Sequence, residues 1–138
     1  MLARWRARHG DIIFDVRLLE DEGLVDEGQK ETIYRVVQES LNNAVRHGRP
    51  TRIEVEVSLA AGGEIVTRIS DNGTAGTKAT HAGRHGQTGF GLIGMRERVT
   101  ASGGALSIDR GDSAAGWTVM ARLPATAPVF SRIRMGVA

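Results

Sequence analysis

The order of elements in this sequence predicts a mixed α/β (α+β) two-layer sandwich, with helices covering one face of a sheet. Two observations carry the prediction. The stretch QKETIYRVVQESLNNAVRHG has helical periodicity and runs into Gly48 and Pro50, a helix stop. TRIEVEVSL and EIVTRISD alternate apolar and polar residues on either side of AAGG, the pattern of a hairpin with one buried face.

Read in order, LARWRARHG is the tail of a helix or a linker turn, and DIIFDVRLL is a strand. EDEGLVDEG is an acidic connector into the main helix. TRIEVEVSL places Ile53, Val55, Val57 and Leu59 on one face, and EIVTRISD returns as its partner. Residues 72–89 are rich in Gly, Thr and His and lack periodicity, so they read as a loop. GLIGMRERVTASGG is a short helix closed by Gly103 and Gly104, and ALSIDR and WTVMARLP form a final hairpin around GDSAAG. The expected units are one domain over residues 1–124 and a loosely attached tail over 125–138.

Composition narrows the function classes. A chain of 138 residues, 41% hydrophobic and 25% charged, is long enough for one globular domain with a core. Aromatics reach only 4%, so that core is aliphatic. A formal charge of +2, without a Lys/Arg run interleaved with aromatics, argues against a nucleic-acid partner. The absence of cysteine excludes disulfides and thiolate metal sites. No apolar run reaches bilayer length and the N-terminus lacks a signal-peptide core, so a soluble domain without membrane contact is expected.

Advancing 100° per residue along the main helix, Ile33, Val36, Val37, Ser40, Leu41, Ala44 and Val45 fill one wide stripe. Glu39, Asn43, Arg46 and His47 cluster along its edge, while Asn42 and Arg35 point away. One reading is a solvated edge with Glu39 paired to neighbouring arginines. The other gives Glu39 a base or water-orienting role and makes Asn43 an oxygen ligand for Mg²⁺.

Asp71 shares a strand side with Ile65 and Ile69, so if these face the core it faces inward at the strand's end. A half-buried carboxylate needs a donor. Either Asp71 or Asn72 caps the local backbone in an Asx-turn, or a ligand's amino group supplies the donor, with Gly73 letting backbone approach a flat ring. Farther on, GFGLIG puts Gly89 and Gly91 just before a helix and Gly94 in its first turn, where free N–H groups attract phosphate. The cluster follows no strand and lacks a Lys-Ser/Thr ending, so a dinucleotide fold and a P-loop fit poorly.

Together, YRVVQESLNNAVRHG, DNGTAG and GFGLIGMRERV resemble the N, G1 and G2 boxes of the ATP-binding catalytic domain of bacterial sensor histidine kinases, above all those of the NarL/UhpB type in the GHKL ATPase superfamily. The resemblance covers roughly residues 3–124 in the correct order. It implies the Bergerat fold, with a mixed, mostly antiparallel sheet and a flexible lid over residues 74–90. It also implies ATP and Mg²⁺ as cofactors. Carried over residue by residue, it makes Glu39 the residue that activates or orients the attacking group. Asn43 becomes the Mg²⁺ ligand, with Glu39 beside it, and Arg46 and His47 the basic pair near the phosphates. Asp71, with Gly73 beside it, becomes the adenine acceptor, and Gly76, Gly89, Gly91, Leu92 and Gly94 line the nucleotide. Read from the residues alone, Leu92, Ile93 and Met95 are core, and Arg96 and Arg98 surface.

The sequence departs from the pattern in three respects, of which the missing phosphoacceptor helices matter most. Ala75 stands where the second G1 glycine is usual, with Gly76 one residue late, and Trp117 stands where a small hydroxyl residue is common. Neither His9 nor His47 looks like a phosphoacceptor, and His81 and His85, flanking Arg84, read as solvated lid residues rather than a metal pair. The resemblance therefore implies a donor domain that passes the γ-phosphoryl group to a histidine on a separate dimerisation helix, for transfer to a response regulator. The parent kinase is expected to be a homodimer, with this domain in the cytoplasm and an anchor in the inner membrane as one option. An anti-sigma-factor-type serine kinase, or a nucleotide-binding module without transfer activity, remains the alternative.

Overall fold

In the computed structural model the described residues are 1–73, 85–109 and 116–125, and for Glu22, His47 and residues 85–90 the description covers the backbone alone. The elements run α1 (Leu2–Arg8), β1 (Ile13–Arg17), a 3₁₀ turn (Glu22–Leu24), α2 (Glu27–His47), β2 (Arg52–Leu59), β3 (Glu64–Asp71), α3 (His85–Ala101), β4 (Ala105–Asp109) and β5 (Thr118–Pro124). The strands form one sheet in the order β1-β2-β3-β5-β4. β1 runs parallel to β2 and every other pairing is antiparallel. The tail beyond residue 125 lies outside the described residues.

Alternation decides which sheet face is covered. Ile53, Val55, Ile65, Thr67, Ile69, Val119, Ala121 and Leu123 point inward and are buried. Val36, Val37, Ser40, Leu41 and Ala44 of α2 meet them, with Met95 and Val99 of α3. The opposite face is lined by charged pairs, among them Arg52 with Asp15, Arg68 with Glu56 and Arg122 with Glu64. Phe14 is the one aromatic among the buried core residues described, as the composition demanded. Leu59 departs from its expected place: it lies at the end of β2 and is 49% exposed.

α2 starts where its chemistry says it should. Asp26 Oδ1 accepts the Gln29 N–H at 2.7 Å and Gln29 Oε1 accepts the Asp26 N–H at 3.0 Å, a reciprocal capping box. The Gln29 amide also donates to the Pro124 carbonyl, tying this end of the helix to the end of β5. The opposite end of α2 thus lies toward the end of β3.

α3 begins earlier than the sequence predicts. The helix starts at His85, so Gly89, Gly91 and Gly94 lie within it and not before it or in its first turn. Each Gly weakens a helix by about 1 kcal/mol relative to Ala. At Gly91 the missing side chain leaves room for the end of the Glu39 side chain of α2. Only residues 74–84 of the expected lid fall outside the described residues, taking with them Ala75, Gly76, His81 and Arg84.

Candidate functional site

Asp71 ends β3 on the same side as the buried Ile65 and Ile69, so it faces the helices and is partly buried. Its Oδ1 accepts the Gly73 N–H at 2.7 Å, the Asx-type contact that its sequence position allowed. Its own N–H donates to the Trp117 carbonyl at 3.1 Å. Burial pushes the carboxyl above its ordinary value, and backbone hydrogen bonds from Gly73 and Trp117 pull it part of the way back. Trp117 therefore holds Asp71 through its main chain, whatever its side chain does.

Bare backbone surrounds this carboxylate. A Cβ on Gly73 would overlap the Gly48 carbonyl and lie 2.8 Å from Gly48 Cα, so the two main chains touch. One on Gly48 would lie 3.6 Å from Asp71 Oδ1. Gly116, at φ +95, would place its Cβ against the Asp71 carbonyl and 3.1 Å from Oδ1. Three glycines from the end of α2, the end of β3 and the start of β5 thus wall one carboxylate.

Along α2, Glu39 and Asn43 stand one turn apart on the edge of the buried stripe, both partly buried. Among the described residues neither makes an ion pair or hydrogen bond, whereas Arg35 pairs with Glu31 at 2.9 Å. The pairing of Glu39 with neighbouring arginines is thus not seen among the described residues. Arg46 is exposed near the end of the helix, and the side chain of His47 lies outside the described residues. Glu39 instead abuts α3: a Cβ on Gly91 would overlap its carboxylate and fall 2.8 Å from Cδ. The structure so places Glu39 and Gly91 together, and Gly48, the residue that ends α2, beside Asp71 and Gly73.

Leu92 is partly buried against the core, and a Cβ on Gly94 would meet open space. Met95 is buried as expected, but Ile93 is 55% exposed. The reason is angular: Leu92, Met95 and Val99 form the inward stripe at helical spacing, and Ile93 lies about 100° off it. Arg96 is on the surface and donates to the Leu106 carbonyl at 3.0 Å.

Three residues of the site have roles the sequence reading did not assign. Gly48 read as a helix stop and Gly116 as a turn, yet both flank Asp71. Asn72 read only as an alternative cap, yet it ties the strand end to the start of β2. Their signal was adjacency to the ends of the elements that converge on Asp71, visible only once those ends are paired.

The chain is similar to known proteins. Residues 28–127 match the family described as histidine kinase-, DNA gyrase B-, and HSP90-like ATPase. Over 88 residues the chain is 39% identical to the signal transduction histidine-protein kinase/phosphatase UhpB of Salmonella typhimurium, covering 64% of this chain and 16% of that protein. It is 38% identical over 95 residues to the sensor histidine kinase MctS of Rhizobium johnstonii, covering 69% of this chain and 20% of that one. The chain thus spans a fifth or less of the length of these relatives. The solved structure of the mycobacterial sensor histidine kinase MprB superposes with a TM-score of 0.63 at 24% identity, over 90% of this chain and 89% of that one, which shows a shared fold. The chain belongs to the family of histidine kinase-, DNA gyrase B- and HSP90-like ATPases.

Proposed function

We propose that this domain binds ATP with Mg²⁺ and donates the γ-phosphoryl group to a histidine on a dimerisation helix of its parent kinase, for onward transfer to a response regulator. The observation that carries the reading is the glycine-walled carboxylate of Asp71. The close main-chain packing of Gly48, Gly73 and Gly116 fixes that carboxylate at the strand end. Two backbone donors do not exhaust the lone pairs of a carboxylate, so Asp71 can still accept from an adenine amino group. The oxygens of Glu39 and Asn43, one turn apart and unpartnered among the described residues, are the donor type that Mg²⁺ takes.

Bound ATP-Mg²⁺ supplies the phosphoryl group and neutralises charge on it as it moves. In this reading Asp71 fixes the adenine end and Asn43 holds the metal. Glu39 contributes to the metal site and activates or orients the attacking imidazole. Arg46 and His47 bring positive charge toward the phosphates. Gly73, Gly76, Gly89, Gly91 and Gly94 let main chain approach the nucleotide, with Leu92 packed behind them. The domain works in the cytoplasm beside a homodimeric parent.

The test is a transfer assay. The chain is incubated with γ-labelled ATP and Mg²⁺, with and without the paired acceptor helices of the parent kinase. Label should appear on the helices and not on the chain alone. Acid-labile phosphate on the chain alone, or none on the helices, contradicts the reading.

A further inference from the structure

Asn72 is exposed, yet both ends of its carboxamide are engaged. Its Oδ1 accepts the N–H groups of both Thr51 and Arg52, each at 2.9 Å. Its Nδ2 lies 2.9 Å from Thr51 Oγ1, to which it donates, and its own N–H donates to the Arg52 carbonyl at 3.2 Å. These bonds carry the β2–β3 ladder one step past its last pair, Ile53 with Asp71.

What they join is informative. Asn72 sits between Asp71 and Gly73, the two residues that form the floor of the glycine-walled site. Thr51 and Arg52 follow directly on the short turn after α2, which begins at Gly48, the residue whose main chain touches Gly73. That turn holds Arg49 at φ +47, a conformation uncommon for a residue other than glycine. A turn with that backbone needs an external brace to stay in one arrangement. The Asn72 carboxamide supplies it from across the gap.

We infer that Asn72 is a positioning residue for nucleotide binding, clipping the end of β3 to the α2–β2 turn so that Asp71 and Gly73 keep their place against Gly48. This rests on the reading of Asp71 as the adenine acceptor. The two acceptor bonds to Thr51 and Arg52 require an oxygen at this reach, which aspartate also offers. The Thr51 hydroxyl can rotate to donate where it now accepts.

The experiment compares the full chain with the variants Asn72→Ala, Asn72→Asp and Asp71→Asn, titrating ATP-Mg²⁺ and adenosine by calorimetry and recording thermal melts. Asn72→Ala should weaken ATP and adenosine by the same factor, about tenfold, as expected when buried-site geometry loses its hydrogen-bonded support. Its dependence on Mg²⁺ should be unchanged, because the clip acts at the adenine end. Asn72→Asp should recover affinity to within about threefold of wild type, since the acceptor bonds survive. Should Asn72→Ala fail to fold, Asn72→Ser, too short to span both N–H groups, carries the same expectation. Wild-type affinity in a folded Asn72→Ala or Asn72→Ser protein, with Asp71→Asn impaired, overturns the inference and leaves the adenine reading standing. Wild-type affinity in Asp71→Asn overturns both.

Discussion

The main chain of Gly91 lies directly against the carboxylate of Glu39, so that any side chain at 91 would occupy the space of that group. The obstructed atoms are the far end of a flexible side chain, which can rotate away. Gly91→Ala should therefore not destabilise the fold. Alanine in place of glycine inside α3 favours the helix by about 1 kcal/mol. The displaced Glu39 carboxylate should lower phosphoryl transfer about tenfold or more, the usual scale for a misplaced acid–base group. Denaturant unfolding and the transfer assay together check this. A fall in both stability and transfer would mean that Gly91 serves packing alone.

Gly73→Ala should behave in the opposite way. Its new Cβ meets the carbonyl and Cα of Gly48, which are main chain and cannot swing aside. Overpacking of this kind costs about 1–3 kcal/mol, and the strand end carrying Asp71 must move. The denaturation midpoint should drop and ATP affinity should fall with it. A variant with unaltered stability would show that the Gly48–Gly73 contact is not maintained in solution.

Asp71 links stability to pH. Its pKa is raised in the fold above the ordinary 3.8, so between those two values the folded state binds more protons than the unfolded one. Stability without nucleotide then falls as pH rises through that window. Asp71→Asn removes the buried charge, so it should melt above wild type at pH 7, and its advantage should shrink as pH falls toward 4. Thermal melts across this range decide the matter. A constant difference at every pH would assign the effect to something other than ionisation.

Glu39→Gln should keep nucleotide but slow transfer about 100-fold or more, because the amide preserves shape without charge or basicity. Asn43→Ala should instead weaken the Mg²⁺ dependence of binding. Calorimetry with and without Mg²⁺, alongside single-turnover labelling, separates the two. Transfer at the wild-type rate by Glu39→Gln would remove Glu39 from the chemistry.

Much of this was legible in the sequence because local patterns fixed it. Alternation in β2 and β3 turned Asp71 inward, and helical spacing put Glu39 and Asn43 on one edge of α2. What stayed hidden depended on contacts between distant segments. The start of α3 was misplaced because glycine lowers helix propensity without forbidding a helix, and the contact with Glu39 is tertiary. Ile93 lay outside the core because the angle of α3 on the sheet, not its hydrophobicity, chose the buried stripe. Asn72 carried no periodic signal, since its partners Thr51 and Arg52 come near it only when β2 and β3 pair.

The most direct measurement is a calorimetric titration of ATP-Mg²⁺ into wild type and Asp71→Asn, with circular dichroism confirming that both are folded. An amide at 71 presents an N–H where the adenine amino group also donates, leaving mismatched polar groups in a partly buried site. Wild type should bind, and Asp71→Asn should lose affinity by about a hundredfold, given the 1–3 kcal/mol typical of such a mismatch. Equal affinity in the two folded proteins would contradict the assignment of this glycine-walled carboxylate as the nucleotide's anchor.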